Sequence, residues 1–382
     1  MSQAAALRLA GGSVWDGLSD GVRSGDVSVA GSFIAEPDGE AKAIDVRGCT
    51  VMPGLIEGHA HLCFNAQPDW RAVYDGDSPA SMLLRMAGNA QRMLRAGITT
   101  VRDLGAPTGL AVELRDAIAA GHIAGPSLLV SGAPVTTTGG HCYFMGGEAD
   151  GVDGMRRAVR ERAKAGVDWI KVMATGGNMT PRTNTFAPQY TVEELQAGIA
   201  DAHRLGLRLT AHAHGIEGVR VAVAAGVDMI EHCSYTTPDG IVRDDRLIGE
   251  IAAKGIIVSP TVSVGYRRWS DDGRKAARAD VMRTMLEAGC RVLMSTDCGI
   301  PGVPHEALGE ALDVLHEMTG RPPVELLRLA TSRSAELLGL EDRGRIAPGM
   351  RADLLVVEGD PTAELGALLR VRHVIAGGRL MV

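Results

Sequence analysis

Two histidines separated by one residue, His59 and His61, follow an apolar run in the segment GLIEGHAHL. Side chains two positions apart on a strand point to the same side, so both rings could bind one metal ion. A chance pair of loop histidines is the alternative, and the preceding apolar run argues against it. The pair therefore predicts a metal site at the end of a strand.

Two further histidines occupy equivalent places in a repeated phrase. His212 lies six residues after Gly206, and His232 lies six residues after Gly226. Either histidine alone would more often be a structural residue. Their matched spacing indicates instead that both serve one site.

A lysine in a strand is the unusual member of this group. The chain has five lysines and 34 arginines, and Lys171 follows Trp169 and Ile170 in a β-rich run. An ammonium group beside metal cations is repelled, so the amine must be neutral or converted to an anion. Carboxylation by carbon dioxide gives a carbamate whose two oxygens could bridge two metals. A barrel-lining lysine paired with Asp297 is the alternative.

Asp297, in VLMSTDCG, ends the last of these strands. A carboxylate there could bind a metal, act as general base toward the attacking water, and pass the proton to the leaving group. The alternative interpretation is a helix N-cap aspartate.

A repeated phrase supplies the elements that would position these side chains. It consists of a helix end, a glycine and a buried, β-branched run. Its copies are LRAGITTVRD (94–103), AKAGVDWIKV (163–172), HRLGLRLTAH (203–212), VAAGVDMIEH (223–232), AAKGIIVSPT (252–261) and EAGCRVLMSTD (287–297).

Two more apolar runs, 51–61 and 127–132, bring the predicted strands to eight. Helical segments separate most of them, as in 79–95, where apolar residues fall on one helical face. This pattern predicts an α/β fold, a (β/α)₈ TIM barrel whose strand ends share one face, where barrel enzymes place their active sites. An open doubly wound sheet is the alternative, disfavoured because no G-x-G-x-x-G follows a strand.

The two ends of the chain differ from the middle. Residues 1–50 and 345–382 contain short alternating runs with turn residues between them, and neither end could bury a core alone. We therefore expect one small β-sandwich formed by residues 1–53 and 345–382, with the barrel, 54–344, inserted between them.

Composition and charge exclude several classes of protein. The formal net charge is −7, and no basic stripe with interleaved aromatics is present, so nucleic acid is not an expected partner. No apolar run is long enough for a membrane span, and MSQAAALRLAGG is not a typical signal peptide. The six cysteines include no C-x-x-C pair. We expect free thiols and a cytoplasmic location.

Loops after the strands hold candidate substrate residues. His141, in TTTGGHCYFMGGEADG, is predicted to bind the scissile carbonyl or its tetrahedral successor. Arg182 and Tyr190 could bind a substrate carboxylate. Tyr235 and Tyr266 are similar candidates, and ordinary loop packing is the alternative for each of them.

The H-x-H pair, Lys171, His212, His232 and Asp297 together resemble the amidohydrolase superfamily. DWIKVMATGG, TAHAHG, GVDMIEHC and MSTDCG are similar to its binuclear branch with a carboxylated lysine. Within that branch the chain looks like the prolidase-like or imidazolonepropionase-like group, which includes Xaa-Pro, Xaa-Arg and Xaa-Lys dipeptidases and ochratoxin-hydrolysing amidases. The similarity runs from about residue 5 to the C-terminus. Glu57 stands where the motif usually has aspartate and is not expected to be a ligand.

This resemblance implies a ligand set and a mechanism. His59, His61 and Asp297 would hold one metal, His212 and His232 a second, and carboxylated Lys171 would bridge them. A hydroxide shared by the metals would attack the scissile carbonyl. His214, two residues after His212, is assigned to substrate binding, although it is the alternative ligand. Zinc is the default metal for a histidine-rich site, with manganese or cobalt as possible substitutes, and the family often forms homo-oligomers.

The predicted function is hydrolysis of an amide or peptide bond in a small molecule, such as a dipeptide or an N-acyl amino acid. Hydrolysis of a carbamate, urea, lactone or phosphoester on the same metals is the second hypothesis. A non-catalytic binding or assembly relative is disfavoured because all six ligand candidates are present. A mononuclear deaminase is a further hypothesis. Such an enzyme should lack the strand lysine, so Lys171 argues against it.

Overall fold

A computed structural model describes residues 6–36 and 41–382 of the chain. Residues 1–5 and 37–40, which belong to the predicted sandwich segment 1–53, lie outside the described residues. The strands are β1 (Leu7–Ala10), β2 (Ser13–Val14), β3 (Arg23–Ser24), β4 (Val27–Ala30), β5 (Phe33–Ala35), β6 (Lys42–Asp45), β7 (Cys49–Pro53), β8 (Leu55–Ala60), β9 (Ile98–Asp103), β10 (Ser127–Val130), β11 (Trp169–Met173), β12 (Arg208–Gly215), β13 (Met229–Thr237), β14 (Gly240–Ile241), β15 (Ile257–Ser259), β16 (Arg291–Val292), β17 (Leu354–Glu358), β18 (Val371–Ala376) and β19 (Arg379–Leu380).

Helices occupy the segments between most of the parallel strands. They are α1 (Trp70–Gly76), α2 (Pro79–Arg95), α3 (Thr108–Ala119), α4 (Gly151–Ala165), α5 (Val192–Arg204), α6 (Ile216–Ala225), α7 (Asp245–Ala253), α8 (Asp272–Glu287), α9 (Leu308–Thr319), α10 (Pro323–Leu329) and α11 (Ser332–Leu338). The predicted helix 79–95 is confirmed as α2, and its buried side includes Met82, Met86, Ala90 and Met93.

The parallel strands form two sheets, with the orders β10-β9-β8 and β11-β12-β13-β15-β16. The predicted alternation of strand and helix is confirmed. At the two junctions between these sheets, isolated bridges join Val135 with Val172 and Ala60 with Cys298. The ladder is therefore interrupted at two places, and the closed barrel predicted from the sequence is not formed as one continuous sheet.

Glycine explains how helices turn into strands at the repeated phrase. Gly166 and Gly226 cap α4 and α6 with φ angles of 82° and 80°, a left-handed conformation that costs glycine little. β8, β9 and β11 are buried along their whole length. Parallel strands are buried in this way because helices pack over the sheet, and here they bury polar residues such as Glu57 and Arg102 as well.

Two further sheets use strands from both ends of the chain. Their orders are β5-β4-β1-β6 and β19-β18-β17-β7-β2-β3. They share an apolar cluster that includes Leu9, Val29, Val51, Leu354 and Val356. The existence of sheets from both termini agrees with the sequence pattern, whereas the division at residues 53 and 345 stays a prediction.

The segment 51–61, predicted as one strand, is two strands separated at Gly54. β7 pairs with β17 in a terminal sheet, and β8 pairs with β9 in a parallel sheet. A Cβ atom at Gly54 would collide with the Thr99 side chain, so only glycine fits where the chain passes between the two sheets.

No helix within the described ranges 6–36 and 41–382 combines the length and the apolar character needed to cross a lipid bilayer.

Candidate metal centre

Residues at the carboxyl ends of the parallel strands surround one cavity of about 430 Å³. β8 brings His59 and His61, β11 brings Lys171, β12 and β13 bring the other strand-end histidines, and Asp297 follows β16. The predicted members of the site that line this cavity are His59, His61, His141, Lys171, His212, His214, His232 and Asp297.

His59, His61 and Asp297 form the first donor cluster. Oδ1 of Asp297 lies 3.3 Å from Nε2 of His59 and 3.1 Å from Nε2 of His61, and the two Nε2 atoms are 3.3 Å apart. Ligand atoms on a tetrahedral metal with bonds of about 2.0–2.1 Å lie about 3.3 Å apart. The triangle of donors therefore fits a tetrahedrally coordinated cation.

Oδ1 of Asp297 is poorly satisfied by the protein itself. The atom is buried and, among the described residues, has no hydrogen-bond partner. A buried carboxylate without a partner is costly. Burial alone would raise the pKa of Asp297, but the rings of His59 and His61 hold it below its usual value. A carboxylate in this state attracts a cation.

The other ring nitrogens of these two histidines are held by the protein. Nδ1 of His59 lies 2.9 Å from Oε2 of Glu231, and Nδ1 of His61 lies 3.1 Å from the carbonyl oxygen of Gly105. Carboxylate and carbonyl oxygens only accept hydrogen bonds, so each Nδ1 donates, and in the neutral form of each ring Nε2 keeps its lone pair. Such contacts orient metal-binding histidines.

His212, His214 and His232 form the second donor cluster. The ring of His232 stacks on that of His214 at 4.2 Å and lies 4.5 Å from that of His212. Nε2 of His212 donates to the carbonyl of Gly176 over 3.1 Å, which leaves Nδ1 for a metal. Nδ1 of His232 lies 2.9 Å from Oγ1 of Thr261, which leaves Nε2.

His214 belongs to this cluster geometrically, although the sequence assigned it to substrate binding. Its Nδ1 lies 3.0 Å from Oγ of Ser234, so Nε2 is available. The structure brings His212 and His214 equally to the site, and their separate roles stay predictions.

Burial keeps most of these imidazoles neutral, which is the form that binds metal. It lowers the pKa of His59 and of His214 to about 4 and that of His212 and His232 well below the usual value. His61 is the exception. Burial would lower its pKa too, but Asp297 raises it more.

Lys171 is buried in the same cavity, with 2% of its surface exposed. Burial lowers the pKa of its ammonium group to about 8. Within the described part of the chain, its Nζ makes no hydrogen bond and no ion pair, so the alternative pairing with Asp297 is not observed. An amine of this kind is readily neutral and nucleophilic.

The backbone is strained at two of the donors. His232 and Asp297 have φ angles of 66° and 61°, in the left-handed region that non-glycine residues rarely adopt. Such conformations cost on the order of 1–3 kcal/mol and cluster at functional sites. Here they turn both side chains into the cavity at the ends of their strands.

His141 lies in the cavity, as predicted. Its Nδ1 lies 3.0 Å from Oγ1 of Thr180, and its ring lies 4.7 Å from that of His212. Nε2 is thus left to face the site. Its predicted contact with a substrate carbonyl stays a prediction.

Arg182, Tyr190 and Tyr235 do not line the cavity, and their predicted role in substrate binding stays a prediction. Arg182 is exposed, and none of the three is among the described residues that line the cavity. The hydroxyl of Tyr190 donates to the carbonyl of Ala149 over 2.6 Å, and Tyr235 is completely buried. Tyr266 does line the cavity.

Arg274 and Trp269 line the cavity without having been predicted. The guanidinium of Arg274 lies over the Trp269 ring at 4.3 Å. Within the described ranges its side chain has no acidic partner. Both residues lie in or near the polar segment RRWSDDGRKAARAD, which carries no pattern to distinguish a cavity arginine from a surface one.

Glu231 and Arg102 were also missed. They form a buried ion pair of 2.8 Å beside His59. The signal was present, because each is a charged residue inside an apolar strand, in ITTVRD and in VDMIEH.

Comparison with known proteins identifies a family. The model of the amidohydrolase family matches residues 50–381. The chain is 30% identical over 376 residues to an ochratoxinase from Aspergillus niger, covering 86% of this chain and 75% of that protein. It is 27% identical over 368 residues to an imidazolonepropionase from Cutibacterium acnes, covering 87% of this chain and 84% of that protein.

Among solved structures, the chain is similar to a Xaa-Pro dipeptidase with methionine bound in its active site. The two structures superpose with a TM-score of 0.86 at 28% sequence identity, covering 98% of this chain and 99% of the dipeptidase.

Proposed function

The chain belongs to the amidohydrolase family, and from that premise we propose that it is a binuclear metal-dependent hydrolase that cleaves an amide bond in a small molecule. One observation carries the metal part of this proposal: the buried Oδ1 of Asp297 has no hydrogen-bond partner among the described residues and faces Nε2 of both His59 and His61. The relatives named as ochratoxinase, imidazolonepropionase and Xaa-Pro dipeptidase support the amide part.

His59, His61 and Asp297 would hold one metal, and His212 and His232 the other. Neutral imidazoles and a carboxylate suit zinc, which we take as the default metal. When bound, two such ions lower the pKa of a water molecule and polarise the carbonyl that it attacks.

Lys171 would join the two metal positions as a carbamate. Its neutral Nζ forms a bond to the carbon of carbon dioxide and loses one proton to solvent, which leaves one negative charge shared by two oxygens. Burial favours this step, because it lowers the pKa of the ammonium group to about 8. The positive charge that would repel a metal is thereby replaced by two anionic ligand atoms.

Asp297 would also move the proton. Its carboxylate is placed to take a proton from the attacking water and deliver it to the leaving nitrogen, so that no free amide anion has to form. His141, whose Nδ1 is held by Thr180, would present Nε2 to the oxygen of the substrate carbonyl.

The cavity suits a substrate with both apolar and anionic parts. Phe64, Met179, Val262 and Ile300 contribute apolar lining. Arg274 offers a guanidinium without an acidic partner among the described residues, which suits a bidentate contact with a carboxylate. An N-acyl amino acid or a dipeptide has both parts.

The two parallel sheets would act as the barrel of the family, with residues 54–344 as the catalytic domain and 1–53 plus 345–382 as the sandwich. The strand order and the bridges between Val135 and Val172 and between Ala60 and Cys298 support this arrangement. The cytoplasmic location stays a prediction from the six cysteines, which are all free and buried.

A substrate panel on zinc-loaded enzyme tests the proposal. It should contain dipeptides, N-acyl amino acids, aryl esters, a lactone and an organophosphate, with the chelated enzyme as control. We expect metal-dependent release of a free amino group from at least one amide. Cleavage of esters or organophosphates alone would overturn the amide assignment and favour the second hypothesis.

A further inference from the structure

A buried ion pair lies directly behind the metal-ligand candidates. Arg102 in β9 and Glu231 in β13 are both fully buried, and Nη2 of Arg102 lies 2.8 Å from Oε1 of Glu231. Neither residue lines the cavity. The pair is therefore placed to act on the site through other residues and not on a substrate.

Glu231 contacts the first donor cluster and the strand of the second. Its Oε2 accepts a hydrogen bond from Nδ1 of His59 over 2.9 Å. Its Oε1 accepts a second one, over 2.6 Å, from Oγ1 of Thr210, two residues before His212 in β12. Glu231 itself precedes His232 in β13. One carboxylate thus connects three strands that carry ligand candidates.

Arg102 contacts β8 and β11, the strands that carry His59 and Lys171. Its Nε donates to the carbonyl oxygen of Gly58, the residue before His59, over 2.8 Å. Its guanidinium lies over the ring of Trp169 at 4.7 Å. Trp169 and Lys171 are two residues apart in β11, so their side chains share one side of the strand.

A buried ion pair contributes little to the net free energy of folding. Desolvation of two charges often offsets their attraction, and apolar residues of the same volume can stabilise a fold at least as well. Here, however, the carboxylate does something that an apolar side chain cannot do. As an acceptor beside Nδ1 it selects the Nδ1–H tautomer of His59 and leaves the Nε2 lone pair facing Asp297.

We propose that the Arg102–Glu231 pair is a positioning device that fixes the tautomer of His59 and aligns the strand ends that carry the metal ligands. The proposal rests on the proposed metal-dependent function. Arg102 and Glu231 are positioning residues, because they act through His59, Thr210 and Gly58 and touch no reacting atom.

Glu231→Gln tests this with little change of volume, and Thr210→Val is a milder second variant that removes one hydrogen bond to the same carboxylate. Asp353→Asn is the matched control. Asp353 is also buried and paired, with Oδ2 2.9 Å from Nε of Arg351, but it lies at a terminal sheet. Zinc affinity is measured by competition with a chromophoric chelator, and the melting temperature is measured on the metal-free proteins.

We expect Glu231→Gln to weaken zinc binding about 10- to 100-fold and Thr210→Val to weaken it less. Asp353→Asn should lower the melting temperature but leave the zinc affinity of the folded protein unchanged. Equal zinc affinity in wild type and in both Glu231→Gln and Thr210→Val overturns the proposal. So does a loss of affinity in Asp353→Asn as large as in Glu231→Gln, since general destabilisation would then explain both.

A second measurement separates this inference from the proposed function. Nitrogen-15 spectra of histidine-labelled, metal-free protein report which ring nitrogen of His59 carries the proton. We expect the Nδ1–H form in wild type and loss of that preference in Glu231→Gln. An unchanged tautomer contradicts the positioning role even if zinc binds, whereas a changed tautomer in a protein that binds no zinc contradicts only the metal-dependent function.

Discussion

Asp297 at the strand ends and Asp353 at the terminal sheets are both acids withdrawn from solvent, and their surroundings differ. Oδ2 of Asp353 lies 2.9 Å from Nε of Arg351, and Oδ1 accepts a hydrogen bond from the backbone of Gly377 over 2.7 Å. Oδ1 of Asp297 faces two histidine nitrogens and has no hydrogen-bond partner in the described chain. The protein satisfies one carboxylate completely and leaves the other ready for a ligand.

The same contrast applies to the two regions as a whole. The terminal sheets bury an ordinary apolar cluster around Leu9 and Val51. The strand ends of the parallel sheets bury histidines, a lysine and carboxylates, and two of the donors, His232 and Asp297, have left-handed backbone. Left-handed backbone is expensive for residues other than glycine. It occurs at these donors and at none of the described non-glycine residues of the terminal strands, which distinguishes the cavity from the terminal sheets.

Replacing each of these two aspartates with asparagine should give the largest difference in effect between the two regions. Asp297→Asn removes a proposed metal ligand and the proposed proton carrier, and we expect amide hydrolysis to fall on the order of 10³-fold or more. Asp353→Asn should keep normal kcat and lose stability, by up to about 3–5 kcal/mol because a charged partner is left unpaired. Steady-state kinetics and denaturant unfolding of both variants check this. A fully active Asp297→Asn enzyme contradicts the assignment.

Lys171 should show the next largest effect. Lys171→Ala removes the proposed bridging carbamate, and we expect roughly a 10²-fold loss of activity, comparable to loss of a general acid–base or metal-orienting group. Acetate or propionate should restore part of the activity, because a free carboxylate can occupy the place of the carbamate oxygens. Lys171→Ala without acetate is the control, and absence of rescue in metal-loaded protein speaks against a bridging anion.

Replacement of His212 and replacement of His214, the two histidines of AHAHG, should have different effects on metal content. We expect His212→Asn to lose one of the two metals and His214→Asn to keep both while binding substrate less well. Metal analysis of the two purified variants, with KM measured for each, makes the distinction. The reverse result would exchange the roles of His212 and His214.

Arg274 should give the smallest and most selective effect. Loss of a charged hydrogen bond to a substrate carboxylate costs about 1.5–3 kcal/mol, so Arg274→Met should raise KM roughly 10- to 100-fold with little change in kcat. For a substrate whose carboxylate is amidated, KM should be the same for Arg274→Met as for the wild type. Arg156→Met, at an exposed position of α4 that does not line the cavity, is the matched control and should leave both substrates unaffected.

Some features of these regions could be predicted from the sequence, and others could not. The strand-end histidines, Lys171 and Asp297 were predictable because the repeated phrase fixes their phase relative to a glycine and a buried strand. The separation of β7 from β8 at Gly54 was not predictable, because it depends on the Thr99 side chain 45 positions later in the chain. Interruption of the parallel ladder at two seams is likewise a matter of tertiary geometry.

The positions of loop side chains were harder to predict for a related reason. Arg182 and Tyr190 lie after β11 just as His141 lies after β10, and Tyr235 lies inside β13, but whether such a side chain borders a cavity is decided by contacts between segments distant in the chain. Arg274, in the first turn of α8, is exposed, as the polar composition of its segment suggests, and the sequence does not show that it also borders the cavity. Arg102 and Glu231 were readable as charges inside apolar strands, although their pairing required the structure.

The most direct test of the central claim is the metal content of the purified wild-type chain after saturation with zinc and removal of free metal by gel filtration. A bridged binuclear centre predicts about two metals per chain, with the second metal lost in His212→Asn and the first lost in Asp297→Asn. One metal per chain, bound equally by the Lys171→Ala variant, would contradict the binuclear account and favour a mononuclear enzyme.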